Sequence, residues 1–252
     1  MAILDIFRRK QSVITKDDVR KAIETLKKYK DGKQNLEQKI IENEQWWKMQ
    51  HWELIRKKNA SENDPEPVTA YLFNTVANKH ADAMDNFPDP VILPREESDI
   101  PESESLTDII PVIMEKNNFE ETYSDAWWYK LKHGFVVYGV FWNPDLENGL
   151  GDIDIRYIDA LNIYWEPGIR NIQDSRNIFV VTLVDTDLLE QQYPFLKGSL
   201  QGNKVIDVKQ YIYDDTIDTA NKCLVVDWYY RKNIDGKPIL QCFCGSTNLQ
   251  LD

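Results

Sequence analysis

Apolar residues recur at helical spacing through the first half of the chain. Val19, Ile23 and Leu26 share one face of a predicted helix that starts at Thr15 and ends at Asp31-Gly32. A second helix is predicted over residues 34–58, followed by a polar connector at 59–67. The next helix should place one whole face in the core, formed by Leu72, Phe73, Val76, Ala77, His80, Ala83, Met84 and Phe87. Two more helices are predicted, over residues 105–118 and 119–133.

From Gly134 the periodicity changes towards that of strands. Residues 135–142 predict a buried strand, because they are continuously apolar, β-branched or aromatic. The pattern also predicts a short helix over residues 186–193 and a turn at Asp235-Gly236. Further strands are predicted over residues 91–93, 153–157, 163–165, 177–183, 205–213, 222–230 and 238–243.

This order predicts an α+β fold, with N-terminal helices followed by a mostly antiparallel β-sheet region. We expect a flexible or loosely docked N-terminal arm over residues 1–15. A mainly helical part should follow over residues 16–134, and a mainly β part of the same domain over residues 135–252.

Charge is distributed unevenly along the 252 residues, whose formal net charge is −12. Residues 1–60 carry 15 basic and 9 acidic residues, whereas residues 61–252 carry 15 and 33. An acidic body argues against binding nucleic acid over the whole surface, since phosphates need cations on the contact face. Residues 94–105 form an acidic loop with Pro and Ser, and its charge run is typical of a solvated surface.

Few catalytic patterns are present. The ten glycines form no phosphate-binding loop, and no cofactor is expected. Cys242 and Cys244 leave open a small metal-binding module, although their spacing is short for zinc and buried strand thiols are the simpler interpretation. Carboxylates within residues 145–190 leave open a hydrolase that uses an acid pair. His80 and His133 are interpreted as structural.

Aromatic residues are the unusual feature, at 12% of the chain. Some aromatic residues are adjacent and form doublets, among them Trp46-Trp47, Trp127-Trp128 and Tyr229-Tyr230. Neighbouring side chains on a helix point about 100° apart, so one member of a doublet can be buried while the other faces a partner. We therefore predict core or subunit-contact roles for Trp46, Trp47, Trp127, Trp128 and Tyr129.

Three segments together resemble the portal proteins of tailed bacteriophages. The first is Asn74–Ala83 with the Pro88-Asp89-Pro90 turn, and the second is the aromatic stretch from Tyr123 to Gly134. The third runs from Gly151 to Gly168. The positions that carry the resemblance are Asn78, His80, Asp82, Lys130, His133, Gly134, Trp165, Pro167 and Gly168.

The resemblance implies a wing-like part of a portal subunit, which is structural and not an enzyme. Portal proteins form homo-oligomeric rings, usually of twelve copies, at one capsid vertex. Double-stranded DNA passes through the ring during packaging and ejection, driven by a separate terminase, and scaffold, capsid and head-completion proteins bind the ring.

The resemblance also predicts a location. The protein is expected in the virion after assembly in the reducing host cytoplasm, with no membrane contact. Portal subunits continue into stem, clip and crown regions. Nothing in residues 220–252 resembles those parts, so the chain is expected to be truncated before them.

Overall fold

The computed structural model describes residues 15–56, 65–144, 146–198, 200, 221–231, 238–244 and 249–250, with only the backbone described for Lys16 and for the last two segments. The helices are α1 (Lys16–Trp47), α2 (His51–Ile55), α3 (Tyr71–Asp85), α4 (Ile100–Lys116), α5 (Phe119–His133) and α6 (Thr186–Gln192). The strands are β1 (Val137–Asn143), β2 (Asp152–Ile158), β3 (Ile163–Trp165), β4 (Asn177–Asp185), β5 (Lys222–Arg231), β6 (Pro238–Cys244) and β7 (Leu249–Gln250).

The strands form two antiparallel sheets. One is the β1–β2 hairpin, in which Val140 pairs with Ile155. The other has the order β3-β4-β5-β6-β7, in which each strand is antiparallel to its neighbours. Helices predominate in the N-terminal part of the chain, and antiparallel strands follow them. This order confirms the predicted α+β class.

The described residues divide into two compact units. The first unit comprises the chain up to Gln34 together with the part from Leu161 onward, and the second comprises Asn35–Ala160. The helix α1 therefore contributes to both.

The first unit has a closed hydrophobic core. The predicted face of α1 packs on the larger sheet, where Leu26 and Phe179 are fully buried. Tyr29 meets the Phe179 ring edge-on at 5.9 Å between centroids. Truncating a buried Leu to Ala typically costs about 2–5 kcal/mol. The packing of this face on the sheet is therefore a large part of the stability of the first unit.

The predicted helix end at Gly32 is wrong, because α1 continues to Trp47. A β-carbon on Gly32 would lie 2.6 Å from Pro167 Cγ, so the glycine permits close packing and does not end the helix. The chain leaves the helix later, near Met49, whose φ is 60°. The predicted helix over residues 34–58 is therefore the end of α1 plus the short α2, and residues 57–64 lie outside the described part.

Other predicted boundaries also differ. Val91–Leu93 is not a strand, since the Ile92 N–H donates to Thr107 Oγ1, a side-chain acceptor. The acidic segment 94–105 is partly helical, because α4 begins at Ile100 with Pro101 in its first turn, where a missing N–H costs nothing.

The strand over residues 135–142 is not buried as predicted. β1 belongs to a two-stranded hairpin, so one of its faces stays exposed and carries Tyr138, Val140 and Trp142. The hairpin is attached to α4 by Asn117, whose amide donates to the Ile153 carbonyl and accepts from the Ile155 N–H.

Several predictions lie outside the described residues. They are the arm over most of residues 1–15, the strand over residues 205–213, the turn at Asp235-Gly236 and the side chains of Cys242 and Cys244. The strand β7 was not predicted.

We expect Gly32→Ala to destabilise the protein by about 1–2 kcal/mol. Overpacking against Pro167 costs about 1–3 kcal/mol, and the better helix propensity of Ala returns at most about 1 kcal/mol. Urea denaturation of a double-mutant cycle with Pro167→Ala measures this. The two substitutions should show favourable coupling, because Pro167→Ala removes the atom that clashes. Simple additivity, or a more stable Gly32→Ala protein, would show that the close approach does not matter.

Candidate subunit interface

Most of the exposed apolar surface lies in the second unit. Among the described residues, every large apolar side chain that stays exposed belongs to Asn35–Ala160, except Leu188 and Phe195. Both clusters of buried apolar residues belong to the first unit. The second unit therefore presents apolar surface that its own described residues do not cover, which is typical of a protein interaction site.

The helix α3 shows this most clearly. Its whole apolar face was predicted to lie in the core, but only Val76 is buried. Leu72 is 43% exposed and Phe73 is 41% exposed. The spacing correctly identified an apolar face and wrongly assigned it to the core of the same chain.

Two further apolar surfaces are exposed. The α4 stripe, defined by Leu106, Ile109 and Val112, repeats every third residue, and each side chain is about half exposed. The outer face of β1 adds Val140 at 67% exposure and Trp142 at 64%.

Each Trp doublet contributes one residue to a group of packed rings. Trp47 stacks on Phe73 at 4.7 Å and lies 5.5 Å from Trp128, measured between centroids. Trp128 stacks in turn on His80 at 4.0 Å. We call Phe73, Trp47, Trp128 and His80 the aromatic ladder. His80 Nε2 lies 3.1 Å from both Ser124 oxygens, which fits its predicted structural role.

The other three aromatic residues predicted for core or subunit-contact roles make different contacts. Trp46 is 38% exposed and lies against His51, with 4.6 Å between ring centroids. Lys130 Nζ lies 3.8 Å from the Trp127 ring centroid, a favourable cation–π distance. Tyr129 stacks on Tyr157 at 5.2 Å.

The remaining predicted positions separate into two groups. In the second unit, Asn78 and Asp82 are exposed on α3, and Gly134 ends α5 with φ 85° and an N–H bond to the Lys130 carbonyl. In the first unit, Trp165 ends β3, with Pro167 and Gly168 in the following turn. These two groups belong to different compact units and do not define one site.

A buried charge cluster lies beside the aromatic ladder and was not predicted from the sequence. Glu44 Oε1 accepts hydrogen bonds from Lys132 Nζ at 2.6 Å and His133 Nε2 at 2.9 Å. All three side chains are at most 10% exposed, and Lys132 Nζ also lies 5.6 Å from the Trp47 ring centroid. Glu44 lies between Ile40 and Trp47 at helical spacing, so an acid on an apolar stripe was the available signal.

The electrostatics of this cluster keep Glu44 ionised. Burial raises the pKa of the Glu44 carboxyl, but hydrogen bonds from His133 and Lys132 outweigh that effect. The pKa therefore lies below its ordinary value of 4.5.

Two carboxylates in the region proposed for a hydrolase bind the same lysine. Glu147 and Asp152 share Lys116 Nζ, at 2.8 and 3.2 Å. A hydrogen bond from the Ile153 N–H, followed by that from Lys116, lowers the pKa of Asp152. A glycosidase-type general acid needs a raised pKa, and the shift of Asp152 is in the opposite direction.

The described residues contain no group of three potential metal ligands. None of the described helices is long and apolar enough to cross a membrane.

We expect Glu44→Gln to destabilise the protein by roughly 3 kcal/mol at pH 7, because it leaves the buried Lys132 ammonium without its counter-charge. The folded-state pKa of Glu44 is lowered, so its contribution is complete above pH 4.5 and is lost as pH falls through the folded-state value. Thermal denaturation between pH 3 and 7 should therefore show a smaller loss of stability at low pH in the variant. The control is Glu24→Gln, an exposed acid on the same helix. Equal losses in both variants would contradict the assignment.

A search of curated proteins gives no significant match. The family model described as "Phage P22-like portal protein" matches residues 20–240, which is most of the chain and includes parts of both units. The chain therefore belongs to the P22-like family of phage portal proteins, which are structural components of the phage.

Proposed function

We propose that this protein is a subunit of a homo-oligomeric portal ring through which double-stranded DNA enters and leaves the capsid. The observation that supports the ring proposal most directly is the exposed apolar surface of the second unit. Membership of the portal family gives that surface its interpretation. In this proposal, neighbouring copies bury the α4 stripe and the outer face of β1.

A closed ring requires a head-to-tail contact, in which two different surfaces of the same chain meet. The second unit offers different apolar surfaces on a helix and on a strand, so it meets this requirement. Fully burying an Ile or Val side chain yields about 1.5–3 kcal/mol, so these surfaces contribute favourably against the entropic cost of association.

The charge of the chain supports passage of DNA without retention. Residues 61–252 carry 33 acidic residues against 15 basic ones. DNA phosphates are repelled by such a surface, which keeps DNA from adhering as it moves. Terminase, scaffold, capsid and head-completion proteins are the partners that this role requires, and twelve remains the expected copy number.

Electron microscopy of the purified protein tests the ring directly. We expect closed rings of uniform diameter, and native mass spectrometry should give one discrete copy number. Only monomers and dimers, at every salt concentration tried, would contradict the proposal.

Ile109→Asp tests the α4 stripe within that assembly. Ile109 is 51% exposed, so the fold should lose no more than about 0.5 kcal/mol of stability. Placing a charge in an apolar contact costs several kcal/mol, so assembly should weaken at least about 100-fold. Sedimentation at several protein concentrations measures this effect.

The matched control is Ser98→Asp, which adds the same charge at an exposed position just before the helix and outside the stripe. It should assemble like the unmodified protein. If Ile109→Asp also does so, the α4 stripe does not lie in the interface.

A further inference from the structure

The second unit also contains an open groove, which includes Met84 and Phe87 from the end of the apolar face of α3. It has a volume of about 880 Å³ and lies between the end of α3, the last turns of α4 and the start of α5. Its apolar lining includes Met84, Phe87 and Phe119, together with three prolines. The Phe87 ring meets the Phe119 ring at 6.1 Å between centroids, so the aromatic floor is held in place by its own packing.

Acidic side chains surround this lining. Asp89, Glu115, Glu120 and Glu121 line the groove and are exposed, and no basic residue lines it. None of these four carboxylates forms an ion pair with another residue in the described parts of the chain. We call this feature the acidic groove. Its chemistry suits a segment that offers an apolar side and several cations.

Residues 1–14 have that composition. Ile3, Leu4, Ile6 and Phe7 are followed directly by Arg8, Arg9 and Lys10. The aliphatic and aromatic side chains match the apolar lining, and the three cations match the carboxylates. A contact of this kind buries apolar area and also pairs the charges, which determines the direction of the bound segment.

We propose that the acidic groove binds residues 1–14 of a neighbouring copy of this chain. This inference rests on the proposed ring, because a head-to-tail interface joins two different surfaces, here a donor segment and an acceptor groove. Residues 1–14 of each copy then bind the acidic groove of the next copy, and its own groove binds the arm of the previous copy. These contacts link the subunits around the ring.

Disulfide trapping in the full-length chain tests this contact. One variant carries Gln11→Cys, next to the basic residues, and the other carries Glu120→Cys, which leaves three carboxylates in the groove. Mixing the two under mild oxidation should give a covalent dimer that neither variant gives alone. The single variants also report any background from the natural cysteines.

The matched control replaces Glu120→Cys by Asp125→Cys, which is exposed on the same helix but does not line the groove. We expect at least about tenfold less dimer with this control, since docking raises the effective concentration of the thiol pair. At about 1 M salt, where the Debye length is only about 3 Å, the yield with Glu120→Cys should fall strongly.

Charge exchange supplies an independent test. Arg8→Glu with Arg9→Glu should lower the dimer yield, and adding Glu115→Lys with Glu121→Lys to the groove partner should restore it. Restoration requires that the two segments meet and cannot result from a general loss of folding.

Each outcome decides one of the two proposals. Rings by electron microscopy without the specific dimer would overturn the arm contact and leave the ring proposal intact. A covalent bond that forms only inside a chain carrying both cysteines would overturn binding between copies. A specific dimer in samples that never form rings would support the arm contact and contradict the ring.

Discussion

The distribution of apolar surface between the two units determines how this chain can work. The first unit closes a core between α1 and a five-stranded sheet, with Leu26, Phe179 and Leu224 fully buried. The second unit buries few apolar residues and presents a helix stripe and a strand face to its surroundings. Exposed apolar area of this kind is unfavourable in water. A partner that covers it is the simplest physical resolution, and in the proposed ring that partner is another copy of the chain.

Sequence periodicity located most of the elements because local spacing carries that information. Val19, Ile23 and Leu26 were correctly assigned to one buried face of α1. Spacing could not show that Gly32 accommodates Pro167, because the two residues are 135 positions apart and meet only through the fold. Periodicity likewise could not distinguish a face that is buried within the chain from one that awaits a partner, so the α3 face was assigned to the core.

The site was only partly predictable for a related reason. The doublets predicted core or subunit-contact roles without distinguishing the two, and Trp47 and Trp128 lie 5.5 Å apart in the aromatic ladder. Their pairing with Phe73 and His80 depends on how three helices pack, which no local pattern specifies. The Glu44 cluster shows the same limit, since its two partners follow 88 and 89 residues later. Removing one partner of such a buried pair leaves an uncompensated charge, which typically costs about 3–5 kcal/mol.

The position of Lys116 affects how fast copies can meet. Residues 85–125 hold twelve acids and two bases, and Lys116 is already engaged by Glu147 and Asp152. Approaching copies therefore repel each other when these surfaces face, and added salt raises their association rate by screening. Pairing of a basic arm with a carboxylate-lined groove has the opposite dependence on salt. The two effects oppose each other, so the sign of the salt dependence of subunit association would report which of the two charge contacts is stronger.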